Sequence, residues 1–387
     1  MKVFYSDVCL KHAPQYEILS GNFVEYVESP SRITLIKEHL SQFPEKFEIC
    51  SHLDYGLEPI LSIHDNDYIE YLKTAYIEWC NDGGDKKGVI PETFLHKGIL
   101  NSSKKNLKNI KSPLAKAGFY CFDLSCCITE DTWEASYESA QVCISAAMEL
   151  LKLTSESYLN ESNYIRNSPL GIFALCRPPG HHANRNVCGG YCYLNNAAIA
   201  TKLLIENNKK DNNNNKENNN DDNNNKENNK LVILDIDYHH GNGTQDIFYS
   251  QSNPLYVSLH ESNDYPYFTG DESEIGEGDG KGYNINISLK KETVDDEYLE
   301  KLKIVIQDKI IPYNADFLVV SLGVDTYKDD PIGGCQITTL GYKRIGNLIK
   351  SIGLPTLFIM EGGYHLETLK FNVYNVLSGF DEDEDNC

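Results

Sequence analysis

Positive charge is scarce in this sequence: 35 Lys and Arg against 57 Asp and Glu leave a formal net charge of −22 over 387 residues. The summed field repels phosphate, which argues against direct nucleic-acid binding and against an anionic-membrane binder. No apolar run approaches the roughly 20 residues that span a bilayer, so no membrane insertion is expected. The twelve cysteines are scattered, and none forms the CxxC pairs that structural zinc prefers. The N-terminal Met1-Lys2-Val3-Phe4-Tyr5-Ser6-Asp7 reaches an acidic residue too soon for a secretory h-region. These absences point to a reducing compartment, cytoplasm or nucleus, with thiols acting mainly as small buried hydrophobes. There is no internal repeat and no clear nuclear-localisation run.

What the chain does have is enough apolar material, 41% of residues with 11% aromatic, to exclude a wholly disordered polymer. Short unbroken apolar runs recur at Val3 to Tyr5, Gly171 to Cys176, Leu231 to Leu234, Leu255 to Leu259, Tyr283 to Leu289, Phe317 to Leu322 and Thr356 to Met360. Such runs suit strands buried on both faces, as in parallel sheets. Helical periodicity lies between them, most clearly at Trp133 to Leu151, where Tyr137, Ala140, Ile144, Ala147 and Leu151 repeat near 3.6 residues. Strand alternating with helix predicts a doubly wound, mostly parallel α/β sheet in a single domain over residues 1–380. Residues 207–230 contain only Asn, Lys, Asp and Glu, with nothing to bury, and read as a disordered insert in a helix-to-strand loop. Residues 381–387 form an acidic tail expected to be a solvated end.

In open parallel sheets, ligands bind beyond the carboxyl ends of strands, so the residues after each apolar run carry the functional expectation. They are Arg177-Pro-Pro-Gly-His181-His182, Asp235-Ile-Asp237-Tyr-His239-His-Gly-Asn242-Gly243, Gly323-Val-Asp325 and Glu361-Gly-Gly-Tyr364. Asp237 and His239, two apart in an extended segment, point the same way and can meet one cation, with Asp325 as a third ligand. Two Asp and one His with open positions make a catalytic arrangement that admits Zn2+, Fe2+ or Co2+. His181 and His182 suit general base work beside an activated water, since imidazole titrates near neutrality. Asp235 and Asn242 are placed to orient these imidazoles, the amide giving a weaker field than the carboxylate. Tyr364, after two glycines, can donate a hydrogen bond to a developing oxyanion.

These residues in this order resemble the histone deacetylase superfamily, nearest its acetylpolyamine amidohydrolase branch and the class II-type deacetylases beside it. The likeness runs over nearly the whole chain through Arg177-Pro-Pro-Gly-His-His-Ala183, Gly189-Gly-Tyr-Cys-Tyr-Leu-Asn-Asn-Ala197, Asp235 to Tyr249, Ser321-Leu-Gly-Val-Asp-Thr326 and Glu361 to Tyr364. Weaker matches are Glu28-Ser-Pro-Ser-Arg32 and His64-Asp-Asn-Asp-Tyr68. The resemblance implies an arginase/deacetylase-like fold, zinc on Asp237, His239 and Asp325, a His181–His182 acid/base pair, and Tyr364 polarising the acetyl carbonyl. It implies attack by a metal-bound water that His182 deprotonates, with the same imidazole then protonating the departing amine. It also implies a structural K+ near Asp235, Asp237, His239, Ser258 and Leu259. Gly190, Tyr191 and Tyr265 look like walls of a substrate tunnel, and Glu17 matches an acidic position of the polyamine branch.

For substrate, the stretch Thr93 to Phe122 holds no Asp or Glu but includes Lys97, Lys104, Lys105, Lys108, Lys111 and Lys116. Repulsion there would disfavour a polyamine, so acetyl-lysine in a protein or peptide, histone or non-histone, is the leading expectation and an acetylated polyamine the alternative. Ureohydrolase chemistry would need further aspartates for a second metal, and a non-catalytic acetyl-lysine scaffold would have lost Tyr364 or a ligand. A homodimer is left open.

Overall fold

Residues 1–96, 98, 110–159, 169–207 and 228–382 are described by the computed structural model. The chain builds an eight-stranded sheet from β1 (Lys2–Phe4), β4 (Glu48–Cys50), β5 (Gly171–Ala174), β6 (Leu231–Asp235), β7 (Leu255–Glu261), β8 (Asn284–Leu289), β9 (Phe317–Leu322) and β10 (Thr356–Met360). Its spatial order is β4-β1-β5-β10-β9-β6-β7-β8, and every neighbouring pair is parallel. Strands β5, β6, β9 and β10 are buried at every residue, the burial their unbroken apolar composition requires.

Helices flank the sheet. Thr132–Leu159 packs against β5, β1 and β10 and against the helix Asn196–Glu206, while Ser31–Leu40, Thr339–Lys350 and Leu366–Asp381 pack into a second group. Among the described residues, no helix is long and apolar enough to cross a membrane. The described cysteines are free thiols, and all but Cys50 and Cys80 are buried.

Two elements were not legible in the sequence. The edge strand β4 is three half-exposed residues, too short and too wet to show a pattern. An antiparallel hairpin pairs β2 (Tyr16–Leu19) with β3 (Asn22–Glu25) through Ser20 and Gly21, both at positive φ as a tight two-residue turn requires. In β2 the polar Glu17 is buried while Tyr16 and Leu19 are exposed, the inverse of the usual alternation.

Most of residues 207–230 lies outside the described residues, but both ends of that stretch are placed. Asn229 donates from Nδ2 to the carbonyls of Leu204 (2.8 Å) and Asn207 (3.0 Å), stapling the end of one helix to the approach of β6. The stretch therefore enters at the amino end of the sheet. The acidic tail begins differently from expectation: Glu382 is not simply solvated, because Lys46 (2.6 Å) and Lys343 (2.9 Å) both pair with it.

Candidate active site

Strands β5, β10, β9 and β6 are consecutive in the sheet. Their carboxyl ends carry His181 and His182, Tyr364, Asp325, and Asp237 with His239, so parallel pairing brings together residues up to 183 positions apart in the chain, from His181 to Tyr364.

Asp237, His239 and Asp325 are buried with their ligating atoms within 4.8 Å of one another. His239 Nδ1 lies 3.0 Å from Asp325 Oδ2 and 3.3 Å from Asp237 Oδ1. Each carboxylate is anchored through its other oxygen: Gly362 N–H donates to Asp237 Oδ2 at 2.8 Å, and Tyr238 N–H to Asp325 Oδ1 at 2.7 Å. Gly362 has to be glycine, because a Cβ there would sit 2.4 Å from Asp325 Oδ2 and 2.6 Å from Asp237 Oδ2. Burial, then the facing charge of Asp237, pushes the Asp325 carboxyl up to about 7. Burial acts on Asp237 in the same sense, yet the imidazoles of His181 and His239 hold it well below the usual carboxylate range. Two dry carboxylates sharing one imidazole is a donor set that a divalent cation suits, since it would compensate both charges at once.

The two histidines sit side by side, ring centroids 4.0 Å apart, in unlike surroundings. His181 Nδ1 is 3.1 Å from the carboxylate of Asp235 and its Nε2 is 3.7 Å from Asp237. His182 Nδ1 is 2.7 Å from Asn242 Oδ1, so this nitrogen carries the proton and Nε2 keeps its lone pair. Burial lowers both imidazoles, but Asp237 and Asp235 outweigh it at His181 and lift it to about 10. At His182 burial is reinforced by the neighbouring His181, and the ring is held neutral far below its usual range. A carboxylate behind one ring and an amide behind the other thus shift the two imidazoles in opposite directions.

Tyr364 faces the same space. Its backbone N–H and that of His365 donate to Asp330 Oδ2 at 2.7 and 3.3 Å, and the Arg32 guanidinium lies 4.7 Å from the centroid of its ring. Arg32 also donates to the carbonyls of Gly363 (2.6 Å) and Glu361 (2.5 Å), and it shares Glu28 with the buried Arg177. This accounts for the Glu28 to Arg32 motif as the clamp on the Tyr364 loop. The His64 to Tyr68 motif supports another loop: His64 Nε2 accepts Asn195 N–H at 2.9 Å, and the Tyr68 hydroxyl donates to the Tyr193 carbonyl at 2.7 Å. Ser258 pairs with Asp235 across β6 and β7 and Leu259 follows it, both fully buried beside the cluster.

A cavity of about 540 Å³ opens over these groups, lined by Glu17, Asp123, Asp264, His182, His239 and Tyr364 between walls of Tyr191 and Tyr265. Gly190 and Tyr191 are both left-handed (φ 55° and 66°), and a Cβ on Gly190 would meet His182 Cδ2 at 2.3 Å. Tyr265 crosses His182 edge-on at 4.9 Å and so stands as a wall of this cavity. Sequence reasoning missed Asp123, Asp264 and Asp330. Asp123 is the first carboxylate after the acid-free stretch that ends at Phe122, so reading one residue further would have found it. Of the lysines in that stretch, Lys97, Lys104, Lys105 and Lys108 lie outside the described residues. Lys111 is exposed and Lys116 pairs with Glu78 at 2.6 Å; neither lines the cavity.

A parallel α/β sheet that gathers an Asp–His–Asp cluster, paired histidines and a tyrosine beneath one cavity has the parts of a metal-assisted hydrolase. The particular family follows from comparison: residues 26–380 match the histone deacetylase domain, and the chain belongs to that family of deacetylases. It is similar to acetylpolyamine amidohydrolase 1 of Pseudomonas aeruginosa, 37% identical over 97% of this chain and 98% of that protein. It is also similar to the crystal structure of acetylpolyamine aminohydrolase from Burkholderia pseudomallei, with a TM-score of 0.83 and 32% identity over 98% of both chains. Histone deacetylase HDA1 of Candida albicans is 32% identical over 60% of this chain and 26% of its own length.

Proposed function

We propose that this enzyme removes acetyl groups from acetylated polyamines or other small acetylated amines, yielding acetate and a free amine. The sequence favoured acetyl-lysine in proteins, and that preference gives way. The observation that carries the change is the cavity lining: Glu17, Asp123 and Asp264 face it, and no Lys or Arg is among its described lining residues. A cationic chain is attracted into such a channel. Full-length similarity to acetylpolyamine amidohydrolases supports the same reading.

Asp237, His239 and Asp325 would hold a divalent cation, for which we assign zinc, and that ion would supply Lewis-acid polarisation of the acetyl carbonyl and of water. The chain's own groups do the rest. His182, neutral with its Nε2 lone pair free, accepts the proton of the attacking water and returns it to the departing amine. His181, its Nδ1 3.1 Å from the Asp235 carboxylate and its ring 4.0 Å from that of His182, stands beside it as the electrostatic partner. The Tyr364 hydroxyl donates a hydrogen bond to the developing oxyanion. The aromatic walls exclude water around the methylene stem. We assign a K+ to the carbonyl oxygens around Asp235, Asp237, His239, Ser258 and Leu259, which exchange of potassium for sodium in the assay would test.

The deciding experiment compares kcat/KM of the zinc-loaded protein on N-acetylputrescine and on an acetyl-lysine peptide. Preference for the acetylated diamine is expected; preference for the peptide would restore the protein-deacetylase reading, and inactivity on both would remove the amidohydrolase assignment.

A further inference from the structure

We propose that Asp123 is the positioning residue that fixes the spacing between the two aromatic walls, and through it the preference for slender, unbranched acetylated amines. The inference rests on the amidohydrolase reading above. One wall is the Gly190–Tyr191 turn that follows β5; the other is Tyr265, in the loop that follows β7. Asp123 belongs to neither and bonds to both. Its Oδ2 accepts the Tyr265 hydroxyl at 2.7 Å, the Gly190 N–H at 2.8 Å and the Ser125 hydroxyl at 2.6 Å, while Oδ1 accepts Ser125 N–H at 3.1 Å. Only a carboxylate, an acceptor without protons of its own, takes this many donors.

Glu17 provides the contrast. It also takes a wall phenol, Tyr191 at 2.8 Å, but its second bond is to Val27 N–H at 3.0 Å, one donor per oxygen. Glu17 keeps acceptor capacity for a cationic substrate, whereas the Asp123 oxygen nearest the walls is fully engaged. Asp123 therefore adds its charge to the field of the cavity but has no acceptor free at the walls to bond an amine, and its own part is geometric. The walls it joins stand against the chemistry: Tyr265 is 4.9 Å from His182 and Tyr191 is 5.7 Å from Tyr364, centroid to centroid. Releasing them widens the tunnel without removing a reacting group.

The test uses wild type, Asp123→Ala, Asp123→Asn, Tyr265→Phe and the Asp123→Ala/Tyr265→Phe double variant on N-acetylputrescine and on N-pentylacetamide, a neutral chain of equal length. Asp123→Ala should raise KM at least about tenfold on both substrates while kcat falls less than about threefold, with Asp123→Asn and Tyr265→Phe smaller in the same sense. The double variant should be no worse than Asp123→Ala alone, because both changes break one link. A loss confined to the cationic substrate, or additive losses, would overturn the clamp. Thermal unfolding of the same proteins gives a readout independent of turnover: the double variant should lose no more Tm than Asp123→Ala, and a summed loss would overturn the clamp. Should wild type turn over neither substrate, the amidohydrolase reading fails while the unfolding comparison still decides the role of Asp123.

Discussion

The two ends of the central sheet obey different rules. At the carboxyl end of β5, β10, β9 and β6, each reactive side chain is held by named partners, and even a methyl group on Gly362 would collide with two carboxylates. At the amino end, the chain accepts an Asn-rich stretch across residues 207–230, its ends joined by one asparagine side chain. The difference teaches that tolerance in this fold is directional. The strand fixes its own far end through the parallel register and leaves its entry free.

Substitutions can break or sharpen that contrast. The largest effect belongs to Asp237→Ala, which removes one of the three side chains assigned to the cation and leaves Asp325 without its counterpart; turnover should drop below detection, and bound zinc measured by elemental analysis should drop with it. Tyr364→Phe should lower kcat by about 10²-fold with bound metal unchanged, since only the oxyanion donor is lost. Asn242→Asp places a carboxylate behind His182 and raises its pKa. The base must be neutral to accept a proton, so the acidic limb of the kcat/KM profile should move to higher pH; an unmoved limb would assign the base elsewhere. The smallest effect is expected at the opposite end: deleting residues 208–227 should leave kcat/KM within about twofold, because the placed flanks, Asn207 and Asn229, lie at the amino end of β6, away from the site. A large loss would place that stretch in contact with the site.

The same directionality governed what the sequence could disclose. The four strands that carry the site are buried on both faces, so each is an unbroken apolar run, and the residue types that follow them are unmistakable. Asp237, His239 and Asp325 were legible for that reason, and the structure brings their ligating atoms together. Asp123 and Asp330 escaped because each lies in a loop away from the end of an apolar run, and Asp264, although it follows β7 closely, sits among Ser262 and Asn263, where an aspartate looks like any solvated turn residue. Glu17 stood out only through family likeness, since its strand buries the polar residue and exposes Tyr16 and Leu19. The lean toward acetyl-lysine has a related origin: charge counted along Thr93 to Phe122 does not say which side chains face the cavity.

The Arg32 clamp bears on when the enzyme can first work. Its bonds to Gly363 and Glu361 join residues 331 and 329 positions apart. On the ribosome, Asp237, His239 and Asp325 therefore emerge before the phenol and the carbonyls that Arg32 clamps. Closure by so distant a pair adds a step of high contact order to folding, so the phenol is the last part of the site to be seated.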